Sequence, residues 1–96
     1  MRLAGPGDAG DSRGVVRRRL AEAEAARGGD PREELRRAIA DFDAAVRCDA
    51  RRVHNRSAAW TALGDAEAAR GQDPREDYRR AIADAEAACE AEPGLA

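Results

Sequence analysis

The stretch AEAARGGDPREELRRAIADFDAA, residues 23–45, returns 43 positions later as AEAARGQDPREDYRRAIADAEAA, residues 66–88. Extended to Leu20–Ala45 over Leu63–Ala88, the alignment holds 19 identities in 26 pairs. A chain with 24 alanines would align some of them by chance. Chance does not superimpose Gly28 on Gly71, Asp30-Pro31-Arg32-Glu33 on Asp73-Pro74-Arg75-Glu76, and Arg36-Arg37-Ala38-Ile39 on Arg79-Arg80-Ala81-Ile82. The chain is a duplication, and self-similarity at a fixed period of this size marks a repeat architecture.

Each unit reads as a helical hairpin. Ala, Glu and Arg, which are strong helix formers, fill the stretch before Gly28 and before Gly71. Glycine there can take the left-handed conformation that closes a helix. Two residues on, Asp30 and Asp73 are placed to accept from the first amides of a new helix. Pro31 and Pro74 fit its first turn, and Glu33 and Glu76 stand at the third position of a capping box. A stop, a short turn and a start oblige the two helices to fold back on each other.

The second helix of each unit carries an apolar stripe at 4, 3, 4 spacing: Leu35, Ile39, Phe42 and Val46, then Tyr78, Ile82, Ala85 and Cys89. That is one face of an amphipathic helix. The first helices show weaker stripes, Val16, Leu20 and Ala23 in unit one, and Val53, Trp60 and Leu63 in unit two. No segment has the period-2 pattern of a strand. The expectation is an all-α chain of two stacked antiparallel helix-turn-helix hairpins. The helices fall at about 12–27, 31–48, 52–70 and 74–91, to within ~2–4 residues at each end. Residues 1–11 read as a flexible lead-in with Ser12 as the first helix cap, 12–50 as unit one, 51–94 as unit two, and Pro93-Gly94 as the final stop.

Composition limits what such a fold can contain. Leu, Ile, Val and Phe number 12 in 96 residues, which is low enough to raise the question of disorder. The net charge of −2 removes the second condition for it. Nothing approaches the ~20 apolar residues of a membrane helix, and Met1–Ser12 has no apolar core of a secretory signal. Two cysteines 41 residues apart form neither a CxxC pattern nor a disulfide framework. A cytoplasmic setting follows as the expectation.

Trp60-x2-Leu63-Gly64, with Ala81-x3-Ala85-x2-Ala88 and Pro93 further on, resembles the tetratricopeptide repeat. Unit one matches less at its start, with Arg17, Leu20 and Ala21 in the corresponding places. It matches better at its end, with Ala38, Phe42 and Ala45, while Ala50 stands where proline is usual. The period of 43 exceeds the family's ~34. The extra residues fall around the Gly-x-Asp-Pro turn and between Ala50 and Trp60. A second register is therefore open, with Arg56-Ser57 in the signature position. HEAT or armadillo-like hairpins fit the period but not these residues. The resemblance covers about residues 15–94 and implies a short α-solenoid fragment.

Side chains that could carry chemistry have plainer readings. His54, the single histidine, lacks neighbours at ligand spacing such as HExxH and reads as a solvated helix-start residue. Cys48 and Cys89 read as packing residues rather than nucleophiles. Gly28-Gly29 is a turn without the Gly-Lys-Ser/Thr ending of a phosphate loop. Trp60 reads as hairpin core. The arginine clusters at 17–19, 36–37, 51–52 and 79–80 suggest nucleic acid at first sight. Acids interleave with them at helical distance, Glu33 before Arg37, Glu76 before Arg80, Arg37 before Asp41 and Arg80 before Asp84, and i,i+4 pairs of this kind stabilise helices.

The resemblance implies a non-catalytic protein–protein interaction module, a scaffold or adaptor that binds a peptide or helix in a groove formed by the first helices. In the Trp60 register that groove presents Arg18, Arg19 and Glu22 from unit one and Thr61 and Asp65 from unit two. In the other register His54 and Asn55 replace some of these. Arginine can hold a carboxylate by two parallel hydrogen bonds, so Arg18 and Arg19 suit an acidic segment or a chain terminus. No catalytic residue, metal ligand or cofactor is expected, and neither is a membrane. The alternatives are a structural unit that stacks on copies of itself as a homo-oligomer and, weakest, an Arg-dependent nucleic-acid binder.

Overall fold

A computed structural model describes residues 8–91. Four α-helices follow one another: α1 (Asp8–Ala26), α2 (Arg32–Cys48), α3 (Val53–Ala69) and α4 (Arg75–Ala91), with one 3-10 turn, Ala50–Arg52, leading into α3. There is no strand among the described residues. Each helix packs on the next: α1 on α2, α2 on α3, α3 on α4. The fold is the all-α pair of hairpins that the duplication predicts.

The turns form as their residues require. Gly28 and Gly71 have φ of 81° and 76°. At each the backbone closes the helix twice over. Gly29 N–H donates to Glu24 C=O at 2.8 Å and Gly28 N–H to Ala25 C=O at 3.0 Å; in unit two Gln72 donates to Glu67 at 2.9 Å and Gly71 to Ala68 at 3.1 Å. These are the paired bonds of a Schellman stop. On the far side of each turn Asp30 Oδ1 accepts from Arg32 N–H and Asp73 Oδ1 from Arg75 N–H, both at 3.0 Å. The expected capping-box carboxylates turn elsewhere. Glu33 pairs with Arg37 at 3.3 Å and Glu76 with Arg80 at 3.1 Å, along the helix.

The start of the chain differs from expectation. α1 begins at Asp8, so residues 8–11 are helical and Ser12 lies inside the helix rather than capping it. The rest of the expected lead-in, 1–7, and the Pro93-Gly94 stop lie outside the described residues. Glycine is a poor helix former, but packing favours Gly10 and Gly14 in this helix. A Cβ on Gly14 would come within 2.5 Å of the Phe42 ring, and one on Gly10 within 2.9 Å of Asp41 C=O. The missing side chains let α1 lie close on α2. The inward residues of α1 are accordingly Gly10, Gly14 and Ala21, and Val16, Leu20 and Ala23 are exposed.

The core is built around α2, which has a neighbour on both sides. Leu35, Ala38, Ile39 and Phe42 meet Ala21 of α1 and Ala59 and Leu63 of α3. Phe42 is the largest side chain with no exposure among the described residues. On α4, which packs on α3 and the 3-10 turn before it, with no further helix beside it among the described residues, the expected stripe fails. Tyr78 is half-buried, but Ile82, Ala85 and Cys89 are exposed, and the residues turned inward are Ala81 and Asp84. Cys48 is exposed as well, so neither cysteine is a packing residue. A single neighbour covers only a narrow strip of a helix, and the four-residue stripe needs two.

Candidate interaction trough

The first helices of the two hairpins, α1 and α3, flank a cleft of about 440 Å³ on one side of the molecule. Its walls are alanines, Ala21 and Ala25 from α1 and Ala62, Ala66 and Ala69 from α3; Pro31 and Leu35 from the start of α2 lie beneath. The alanines recur every three or four residues because that spacing returns to one helix face. Their small size leaves room for a guest.

Three charged residues mark the rim: Glu22, Asp65 and Arg70. Glu22 and Asp65 are 43 positions apart and occupy the same place in their units, one on each wall. Asp65 accepts from the Tyr78 hydroxyl at 2.6 Å, and this carboxylate holds the Tyr78 phenol above its ordinary range. Arg70 is tied to the α1–α2 turn by Asp30 Oδ1 at 3.2 Å and by Gly29 C=O at 3.1 Å. It closes one end of the cleft and joins the two hairpins there.

Arg18 precedes Glu22 by one turn and Ala25 by two, on the same stripe of α1. It is half-buried, and its Nε is buried with no hydrogen-bond partner. Buried donors are nearly always paired, which makes this N–H an exception among the described residues. Arg19 is exposed and occupies the unit-one position that Ala62 fills in unit two.

The remaining sequence-predicted residues lie elsewhere. Thr61 is exposed on α3, its hydroxyl donating back to Ser57 C=O at 3.1 Å. His54 is exposed at the second residue of α3, with Nδ1 3.3 Å from Arg51 C=O. Asn55 donates to Asp11 Oδ1 at 3.1 Å and so ties α3 to the start of α1. The cleft therefore brings together Glu22 and Asp65 and leaves Arg18, Arg19, His54, Asn55 and Thr61 outside its lining, Arg18 one turn beyond Glu22 on α1. Sequence reasoning missed Pro31, Leu35 and Arg70. The alanine spacing 62, 66, 69 was a usable signal for the wall, whereas nothing local marks Arg70 as a rim residue.

Several arginines tie one helix to another, Arg17 of the 17–19 cluster among them. Asp41 accepts from Arg13 Nε at 2.9 Å and Arg17 Nε at 2.8 Å, joining α1 to α2. In unit two Arg56 donates to both oxygens of the buried Asp84, at 2.9 and 2.8 Å, and to Asp43 Oδ1 at 2.9 Å. These carboxylates hold the Arg56 guanidinium above its ordinary range. Asp41 and Asp84 thus pair across helices rather than with Arg37 and Arg80 four residues earlier. Arg80 instead lies over the half-buried Trp60 ring, 4.9 Å from its centroid, as a cation–π partner.

No group of three His, Cys, Asp or Glu among the described residues is placed to hold a metal ion, and no described helix is long and apolar enough to cross a membrane. No family model, curated protein or solved structure matches the chain.

Proposed function

We propose that the chain is a non-catalytic protein-interaction module of tetratricopeptide-like build, acting as a scaffold or adaptor in the cytoplasm. The ligand is a helix or extended segment of another protein, laid along the α1–α3 trough. One observation carries this reading: the two first helices flank an alanine-walled cleft whose two rim carboxylates, Glu22 and Asp65, occupy equivalent places in the two units. Apolar side chains of the ligand meet Ala21, Ala62 and Ala66. A carboxylate of the ligand, from a side chain or a chain terminus, meets the guanidinium of Arg18, one turn beyond Glu22 on α1. A basic residue further along faces Glu22 and Asp65. Binding then rests on shape, with charge fixing the direction of the ligand.

The test is capture from a native lysate with two baits, the parent chain and Ala69→Arg. Ala69 lines the cleft and is exposed, so the substitution blocks the trough without entering the core. A protein retained by the parent and lost by the variant supports the trough. For a partner so identified, calorimetry with Arg18→Gln measures the carboxylate contact. Glutamine keeps helix propensity near that of arginine. Removing a charge-assisted bond should weaken binding by ~1.5–3 kcal/mol. Equal capture by both baits, or unchanged affinity for Arg18→Gln, would count against the reading.

A further inference from the structure

The internal junction between the two units has a copy of each of its halves exposed at the ends of the molecule. At the junction, the second helix of unit one meets the first helix of unit two. Ile39 of α2 is 6 % exposed there, and Ala59 and Leu63 of α3 are 0 % and 3 % exposed. The residues 43 positions away lie on the outer helices. Ile82 of α4 is 58 % exposed, and Val16 and Leu20 of α1 are 64 % and 47 % exposed. Among the described residues these are the large hydrophobic side chains left in solvent. They fall at the positions the duplication assigns to a junction face.

The charges follow the same rule. Arg36–Glu67 at 3.1 Å, Arg56–Asp43 at 2.9 Å and Arg70–Asp30 at 3.2 Å are three of the ion pairs that cross the internal junction, and Arg32 also reaches Glu67 at 3.7 Å. Shifted by 43, the first becomes Arg79 of α4 with Glu24 of α1. The second becomes Glu86 of α4 with Arg13 of α1. The third becomes Asp73, just before α4, with Arg27, just after α1. Each pair keeps opposite signs, and each has one member at either end of the molecule. Arg13 already holds Asp41, as Arg56 holds Asp84 while reaching Asp43, so the arginine can serve both partners.

We propose that the chain associates head to tail with copies of itself, the α4 face of one copy docking on the α1 face of the next in the geometry of the internal α2–α3 junction. The contact joins two different surfaces, so it leaves a free end on each side and extends into a chain of copies. It also continues the trough, because α3 of one copy then stands beside α1 of the next as α1 stands beside α3 within one copy. The proposal concerns the ends of the molecule and is independent of any ligand in the trough.

Sedimentation velocity over roughly 1–500 μM, a range that populates micromolar-to-millimolar contacts, tests it with two variants. Ile82→Arg blocks the α4 face and Leu20→Arg the α1 face; both residues are exposed, and circular dichroism checks that each variant stays helical. The parent should grow in mass with concentration beyond a dimer. Each variant alone should stay monomeric. An equimolar mixture should form a dimer and stop there, since the intact α4 face of Leu20→Arg meets the intact α1 face of Ile82→Arg. A monomeric parent across the range, or a mixture that stays monomeric while the parent associates, would overturn the proposal. So would a single variant that dimerises as the parent does, which indicates like faces meeting. Charge reversal gives a second reading that leaves the apolar residues untouched. Arg79→Glu should weaken association by ~10-fold, an ordinary effect for breaking a charge pair at an interface. Adding Glu24→Arg in the same chain should restore it, and failure of the pair to restore would overturn the register.

Discussion

An aspartate two residues before an arginine recurs at three helix starts. Asp30, Asp49 and Asp73 each accept from the backbone N–H of the residue two ahead, Arg32, Arg51 and Arg75, at 3.0 Å, and each also binds that arginine's guanidinium. The cap therefore carries its own counter-charge. The arginine side-chain bonds, and then the backbone bonds, hold Asp49 and Asp73 down to about 2, and Asp30 well below the usual carboxylate range. A depressed carboxylate stabilises the fold fully above its ordinary value near ~4 and loses that contribution as pH falls through the depressed one. Asp77 works in the opposite sense. Burial, with Glu67 nearby, raises its pKa, so its contribution is favourable at low pH and is lost as pH rises through the raised value. The thermal midpoint should therefore fall between about pH 4 and pH 2, and Asp73→Ala should flatten part of that fall. Asp73→Asn keeps a cap acceptor and should melt above Asp73→Ala at pH 7. Equal melts for the three proteins at pH 7 would remove the cap from the account.

Gly14 sets a second residue-scale prediction, because its sign reverses the usual rule. Glycine inside a solvated helix is ~1 kcal/mol worse than alanine, so Gly14→Ala ought to stabilise. Here the new Cβ would sit 2.5 Å from Phe42 Cε1. Overpacking of a filled core typically costs ~1–3 kcal/mol. Gly14→Ala should lower the denaturation midpoint, and Gly28→Ala should lower it also, through its φ of 81° rather than through any contact. A stabilised Gly14→Ala would mean that α1 stands further from α2 than drawn.

At the scale of elements, helices and turns were legible because they depend on local chemistry. The Gly stops and Asp starts fixed both hairpin turns, and three of the four helices lie within two residues of expectation. What failed depends on neighbours. The α4 stripe repeats that of α2 almost residue for residue, yet Ile82, Ala85 and Cys89 are exposed, since no helix follows α4 among the described residues as α3 follows α2. The start of α1 at Asp8 was not legible because the backbone against which Gly10 packs, at Asp41, lies some 30 residues away in sequence. The expected pairing of arginines with acids four residues away misses the ties between helices, because the acids of Arg17, Arg36 and Arg56 are distant in sequence. Arg56 is the sharpest case, one guanidinium joining Asp43 of α2 to Asp84 of α4. Its planar fork cannot be copied by an ammonium. Arg56→Lys should lose most of the tie, and Arg56→Ala should cost about 3 kcal/mol or more, since it leaves Asp84 buried without its partner. Urea denaturation of the two variants, each close to the parent, would show that the tie is unimportant.

For the molecule as a whole, the same physics makes burial a matter of position in the stack rather than of residue type. Five of the ten buried hydrophobic residues among those described are alanine, and each missing methylene forgoes ~0.8 kcal/mol of burial, so a few large side chains on α2 carry much of the apolar stabilisation. Phe42, Leu35 and Ile39 are those side chains. Domains of this size hold about 5–15 kcal/mol in total. Two isoleucines at equivalent positions in the duplication then provide an internal control. Ile39 is covered by α3, and Ile82 has no helix over it. Ile39→Ala should cost ~2–5 kcal/mol, the range for truncating a buried isoleucine, and should leave the protein barely folded at 37 °C. Ile82→Ala should stay within ~0.5 kcal/mol of the parent, as exposed substitutions do. Chemical denaturation at low micromolar concentration, where copies are kept apart, compares them directly. The residue removed, the residue introduced and the local sequence are all but the same in both variants, so any difference reports coverage by the neighbouring helix. Equal losses would show that α4 is covered as α2 is, and the order of packing along the stack would have to be redrawn.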